Sequence, residues 1–274
     1  MKDQSVTLPR AEDQSAERAG STVRAGVFDV GYIDDGDGVP LVLIHGGESD
    51  RHQFTVLRRH LGAGLRVISY DQRDSGLTTN PPAPYGLADL ADDLVARLDA
   101  LKLSAAHVLG TSFGGAIAQH VALRHPARIS SLILVATTPS YALGSPIVDA
   151  LLSMSHQDRQ NAATELFFTP KGRSQLYTPP GQTLTKRTAE QSRRRRNAAR
   201  QHDIRDRLPS IAARTLILHG TEDQLAPWAG ALLMAEQIPN AELQSIDGGR
   251  HAIAIEFANT IAARVREFLP LLKP

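Results

Sequence analysis

The chain has 274 residues, 42% of them hydrophobic, with 30 Lys plus Arg against 29 Asp plus Glu and no cysteine. That length suits one large α/β domain with a sizeable core and room for an insert. A net charge of +1 gives no bulk attraction to nucleic acid or anionic membranes, and the missing cysteine excludes disulfides, thiolate nucleophiles and cysteine metal sites.

Residues 1–22 are polar and mixed in charge and read as a flexible leader. No apolar stretch follows Lys2, so no signal peptide is expected. No run approaches the roughly 20 apolar residues that span a bilayer, and a cytoplasmic location is expected. Residues 23–33 alternate loosely and predict one or two strands, closed by Asp34-Asp35-Gly36-Asp37-Gly38. The short apolar run 40–44 reads as a buried parallel strand and stops at His45-Gly46-Gly47. Residues 51–61 predict a helix, and 65–70 the next strand. A polar loop follows, Asp71-Gln72-Arg73-Asp74-Ser75-Gly76. Apolar residues at helical spacing mark 87–103 as a helix: Leu87, Leu90, Leu94, Leu98 and Leu101.

Residues 106–109 predict a strand and 113–125 a helix, which Pro126 stops. Another strand is expected at 129–135. The strand–helix alternation argues for a mostly parallel central sheet flanked by helices on both faces. It breaks between 137 and 209. There 146–168 reads as helix, 169–185 is rich in Pro, Gly and Thr, and 186–207 reads as a polar helix. Alternation resumes with a strand at 215–220, a helix at 228–237, a strand at 241–246 and an amphipathic helix at 259–272. The predicted organisation is a leader (1–22), a core (23–138 and 209–274) and an inserted helical cap (139–208). A structural linker helix is the other reading of that insert.

Chemistry centres on Gly110-Thr111-Ser112-Phe113-Gly114. The bare string Gly-x-Ser-x-Gly occurs by chance in many proteins, but a strand before it and a helix after it are the context of a nucleophile elbow. Ser112 then sits at a tight apex, and the first helix amides can stabilise negative charge beside it. A serine hydroxyl is a poor nucleophile near neutral pH and needs a base. Asp223 and His251 each follow a predicted strand, so their loops emerge at the same sheet edge as Ser112. His251 fits the proton carrier and Asp223 its orienting acid. Oxyanion donors are expected from the backbone N–H groups of Gly47 and Phe113.

This combination resembles the α/β-hydrolase superfamily, from about residue 23 to 272. The resemblance rests on His45-Gly46-Gly47, the loop at 71–76, Gly-Thr-Ser-Phe-Gly-Gly, His219-Gly220-Thr221-Glu222-Asp223 and Gly249-Arg250-His251. It implies an α/β-hydrolase fold with Ser112, Asp223 and His251 catalytic and with Gly47 and Phe113 as oxyanion donors. The loop and small cap are similar to proline iminopeptidases and to methyl esterases of aromatic polyketides. Two positions depart from the family pattern. Asp74 stands where family members often have glycine, and Arg250 where many have glycine before the histidine. Arg250 is expected to face solvent, with a substrate anion as the alternative.

The remaining polar residues are read as structural first. His45 is expected to order its loop by a local hydrogen bond, and His219 holds an equivalent strand end. Asp247 and Glu222 are rivals to Asp223. The four arginines at 193–196 are expected to form a solvated cap face, and His202 with Asp203 a polar hinge. No metal-site spacing or dinucleotide fingerprint is seen, so no metal or cofactor is expected. Possible pocket residues are Glu48, Ser49, Phe54, Met154, Phe167, Phe168 and Trp228, with ordinary core as the competing role of the apolar ones.

The expected activity is a serine esterase of the carboxylesterase type, acting on a small, partly apolar substrate through an acyl-enzyme. The alternatives are a carbon–carbon bond hydrolase of ring-fission products, a lactonase, an aminopeptidase, or a non-catalytic small-molecule binder. No nucleic acid or membrane partner is expected, and the assembly is expected to be a monomer or a homodimer.

Overall fold

The structure, a computed structural model, describes residues 21–271 apart from Val27, Ser155 and 176–186. Nearly all of the expected leader and much of the Pro, Gly and Thr-rich stretch lie outside the described residues. In chain order the main elements are β1 (Ser21–Ala25), β2 (Phe28–Asp35), β3 (Val39–Ile44), α1 (Thr55–Leu61), β4 (Leu65–Tyr70), α2 (Leu87–Ala100), β5 (Ala106–Thr111), α3 (Phe113–Arg124) and β6 (Ile129–Val135). They continue as α4 (Ser145–Ser153), α5 (His156–Phe167), α6 (Pro170–Gln175), α7 (Ala189–Arg200), β7 (Thr215–Gly220), α8 (Trp228–Gln237), β8 (Ala241–Ile246), α9 (Ile253–Glu256) and α10 (Ala258–Phe268).

The eight strands form one sheet in the order β1-β2-β4-β3-β5-β6-β7-β8. From β4 through β8 every pairing is parallel, while the β1–β2 hairpin joins β4 antiparallel. Side chains alternate across a strand, so each central strand feeds two cores. Val42, Ile44, Val108, Leu132 and Ile217 pack with α2, α3 and α8. Leu41, Leu43, Leu109, Ile133 and Leu216 pack with α1 and α10. Burying both faces is what turns these strands into continuous apolar runs.

Several predicted helices are divided. Residues 51–61 begin as a 3-10 turn, Arg51–Phe54, before α1. The single helix expected at 146–168 is two, α4 and α5, and the one expected at 186–207 is α7 followed by a 3-10 turn, Arg205–Ser210. Thr188 caps α7 through its hydroxyl to the Gln191 N–H, and Gln191 returns the bond.

The helices α4 to α7 form the inserted cap. The chain leaves the core and returns to it at one place. Ser140 and Asp203 pair there as an antiparallel bridge. The Tyr141 N–H donates to His202 O at 2.8 Å and the Ile204 N–H to Pro139 O at 2.9 Å.

Candidate active site

All loops that follow the parallel strands open at one edge of the sheet, and the site is assembled there. Ser112 lies between β5 and α3 with φ 51. This conformation is costly for a residue with a Cβ, by about 1–3 kcal/mol. The tight packing of strand against helix imposes it. A Cβ at Gly110 would stand 2.3 Å from Gly114 O, and one at Gly114 only 2.1 Å from Ile44 O. Only glycine fits either place. The turn is also tied down by the Thr137 hydroxyl, which donates to Ser112 O at 2.8 Å.

The His251 imidazole bridges two groups. Its Nε2 is 2.8 Å from Ser112 Oγ, and its Nδ1 is 2.8 Å from Asp223 Oδ2. Asp223 is buried, and its other oxygen accepts from the Leu225 and Ala226 N–H groups, both at 2.9 Å. One carboxylate oxygen is therefore reserved for the imidazole. The rivals Glu222 and Asp247 are both exposed. His219 stands 3.7 Å from Asp223, but its Nε2–H donates to Ala226 O at 2.6 Å. Burial pushes its pKa down.

The loop after β3 runs beside the elbow. A Cβ at Gly46 would lie 3.7 Å from Ser112 Cβ, and one at Gly47 3.7 Å from Phe113 Cβ. Phe113 opens α3, so its N–H belongs to the first turn, which has no intrahelical acceptor. Gln53 braces this loop by accepting from the Gly46 N–H at 2.7 Å while donating to the Thr111 hydroxyl at 3.0 Å. His45 takes the local role expected of it: Nδ1–H donates to Gly46 O at 2.7 Å and Nε2 accepts the Gln72 N–H. Burial, then the nearby Arg195 charge, holds its pKa well below the usual value.

The suggested pocket residues separate. The ring of Phe167 meets the His251 imidazole edge-on, 5.1 Å between centroids. Phe168 is buried behind it, and Trp228 tilts against His219. Phe54 is fully buried between α1 and the sheet. It is a core residue and not a pocket wall, because the 3-10 turn that carries it points inward. Met154 is exposed. Glu48 reaches outward to Arg187, 3.4 Å away, and the Ser49 carbonyl accepts from Arg187 at 2.8 Å.

Three charged positions correct the sequence reading. Arg250 does not simply face solvent. It donates to Glu165 O at 2.6 Å and pairs loosely with Glu222, fastening the end of α5 to the histidine loop. The arginine run is not a wholly solvated face, because Arg194 and Arg195 are buried. Arg194 makes a two-pronged bond to Asp74, at 2.9 and 2.7 Å. Asp74 adopts φ 57, the left-handed conformation that a glycine takes readily. Burial raises its pKa, but the bonds from Arg194, Tyr85 and Asn80 outweigh that and leave it lowered. Sequence reasoning missed these cap-to-loop contacts. Their only signal was an acid where the family pattern has glycine, together with four arginines in a row.

Among the described residues, no cluster of three His, Asp or Glu could hold a metal ion, and no helix is long and apolar enough to cross a membrane. A family described as alpha/beta hydrolase fold matches residues 39–176 and 160–258. The chain is 31% identical over 220 residues to a putative carbamate hydrolase from Variovorax paradoxus, covering 76% of this chain and 83% of that one. It is 28% identical over 276 residues to a 2-hydroxymuconate semialdehyde hydrolase from a Pseudomonas species, covering 93% and 95%. Among solved structures it is similar to an esterase from Exiguobacterium antarcticum, with TM-score 0.79, 26% identity and coverage of 91% and 98%.

Proposed function

The chain belongs to the α/β-hydrolase fold family, and on that premise we propose that it is a serine hydrolase working through an acyl-enzyme on Ser112. The observation that carries this reading is the relay from Ser112 Oγ through His251 to Asp223, with both contacts at 2.8 Å. As Oγ attacks the substrate carbonyl, its proton passes to His251 Nε2. Asp223 keeps the Nδ1 proton in place and stabilises the imidazolium. The tetrahedral oxyanion accepts from the Gly47 and Phe113 N–H groups. Collapse expels the leaving group, which takes the proton from His251. Water, deprotonated by the same imidazole, then releases the acyl group and restores Ser112.

The bond cleaved is a broader matter than the simple carboxylic ester expected from the sequence. Relatives named as a carbamate hydrolase and a semialdehyde hydrolase shift the weight toward carbon–carbon bond hydrolysis of ring-fission products and related carbonyl substrates. An esterase stands among the similar structures and keeps the ester reading open. The Phe167 ring against His251 suits a substrate with an apolar part.

Two measurements test this. A fluorophosphonate probe should label the protein and fail on Ser112→Ala. Turnover is then compared for short p-nitrophenyl esters, a lactone, an aryl carbamate and a coloured ring-fission dienoate. Faster turnover of the dienoate supports the carbon–carbon reading, and ester turnover alone returns the protein to the esterases. Full activity in Ser112→Ala would refute the nucleophile.

A further inference from the structure

Three cap arginines reach onto the loops beside Ser112, and one differs from the others. Arg187 faces Glu48, and Arg194 is paired with Asp74. Arg195, only 4% exposed, meets no carboxylate among the described residues. Its Nε donates to Gly47 O at 3.2 Å, Nη1 to Arg73 O at 2.8 Å and Nη2 to Gln72 Oε1 at 2.8 Å. The guanidinium carbon lies 4.8 Å from the centroid of the Phe113 ring. Desolvating a cation is unfavourable, and neutral acceptors offset this less than an ion pair does. The molecule carries that cost beside the reacting centre.

The side chain touches both residues assigned to the oxyanion. Gly47 and Phe113 come from different loops, and no covalent link sets their spacing. The peptide that carries the Gly47 N–H is held at its other end, where His45 donates to Gly46 O. Gly47 has no side chain, so rotation about its Cα is limited by what grips the next carbonyl, its own, and that is Arg195. Phe113 is held at its ring. A planar guanidinium can do both at once, hydrogen-bonding in its plane and stacking through its face.

We propose that Arg195 is a positioning residue for the oxyanion site: reaching in from α7, it fixes Gly47 and Phe113 relative to each other so that their N–H groups converge on one spot. The assignment rests on Ser112 being the nucleophile. It makes the cap part of the reacting centre as well as its cover, since the helix that closes over the substrate also sets the donor geometry. The buried positive charge adds to the field that a developing oxyanion meets.

The test compares Arg195→Met, Arg195→Lys and Arg194→Met with wild type. Readouts are kcat and KM on the best substrate of the panel, and affinity for a trifluoromethyl ketone that forms a tetrahedral adduct with Ser112. Arg195→Met is expected to lower kcat by about 10- to 100-fold with KM within about threefold, and to weaken ketone binding by the same factor as kcat. Arg195→Lys keeps the charge but loses the fork, and is expected to lose at least about tenfold in kcat. Arg194→Met loosens the cap without touching Gly47 or Phe113, so KM should rise while kcat stays within about threefold.

The proposal is overturned if Arg195→Met keeps kcat and ketone affinity within about twofold, or if its loss is confined to KM. If Arg195→Met does not fold, Arg195→Lys decides on the same readouts, and a wild-type kcat there overturns the proposal too. The nucleophile is judged separately. Failure of wild type to label, or full activity in Ser112→Ala, would sink the serine reading before any Arg195 variant is measured.

Discussion

Replacing Asp223 by asparagine should nearly abolish turnover while leaving the fold intact, and the reason lies in how the carboxylate is held. Oδ1 accepts two backbone N–H groups, from Leu225 and Ala226, and Oδ2 accepts from His251 Nδ1. An asparagine has one oxygen and one NH2. The NH2 has no lone pair to offer the two backbone donors, so the oxygen must take the Oδ1 place. The NH2 is then turned toward His251 and donates to Nδ1. The imidazole is forced into the tautomer protonated at Nε2, which points at Ser112 and cannot accept its proton. Loss of this kind costs about 10^4 in kcat, or about 5 kcal/mol of transition-state stabilisation. The assay is kcat against pH for Asp223→Asn and wild type, with the urea midpoint as a check on folding. Asp223→Asn within tenfold of wild type would refute the tautomer argument. Asp247→Asn, at an exposed position, should leave kcat unchanged.

Ser112→Gly relieves the left-handed backbone at φ 51 and should raise stability by about 1 kcal/mol in urea unfolding while removing all fluorophosphonate labelling. No gain in stability would mean that the elbow stores no strain. Acid should weaken the contact between α3 and the end of the cap. There the His120 and His202 rings lie 5.5 Å apart. Burial, followed by the nearness of His202, pushes the His120 pKa from 6.5 down to about 4. Its folded-state pKa lies below its unfolded value, so the unfolded chain binds more protons between those two values. Stability is therefore full above pH 6.5 and should fall by about 2–3 kcal/mol as pH drops to about 4. In His120→Phe that slope should flatten, and an unchanged slope would acquit this residue.

Much of the fold could be read from periodicity alone. The continuous apolar run at 40–44 and the largely apolar stretches at 129–135 and 215–220 became largely buried strands, and Leu90, Leu94 and Leu98 formed the inner stripe of α2. That Ser112, Asp223 and His251 come together could be read because each follows a strand, and strand ends determine which side chains share a rim. The charged contacts of the cap were not. Arg194 finds Asp74 across 120 positions of sequence, and local charge pattern carries no information over that span. A helix with four consecutive arginines has residues pointing in all directions, so it can be wet on one side and buried on the other. Phe54 misled for a related reason. A 3-10 turn at the start of α1 rotates it into the core, and apolar character alone does not separate a pocket wall from a core.

The paired exit and return of the cap, at Ser140 and Asp203, makes the intervening chain a cassette. Its two ends are stapled side by side, so changing its length adds little closure entropy, about 0.6 kcal/mol per doubling. The order of the eight strands does not run through the cassette, although Ala198 of α7 joins one of the two cores. Selectivity is thereby free to drift or to be engineered without rebuilding the scaffold. A transplanted cassette lacking partners for Asp74 and for the Gly47 carbonyl would be carried by the neck but would not seat.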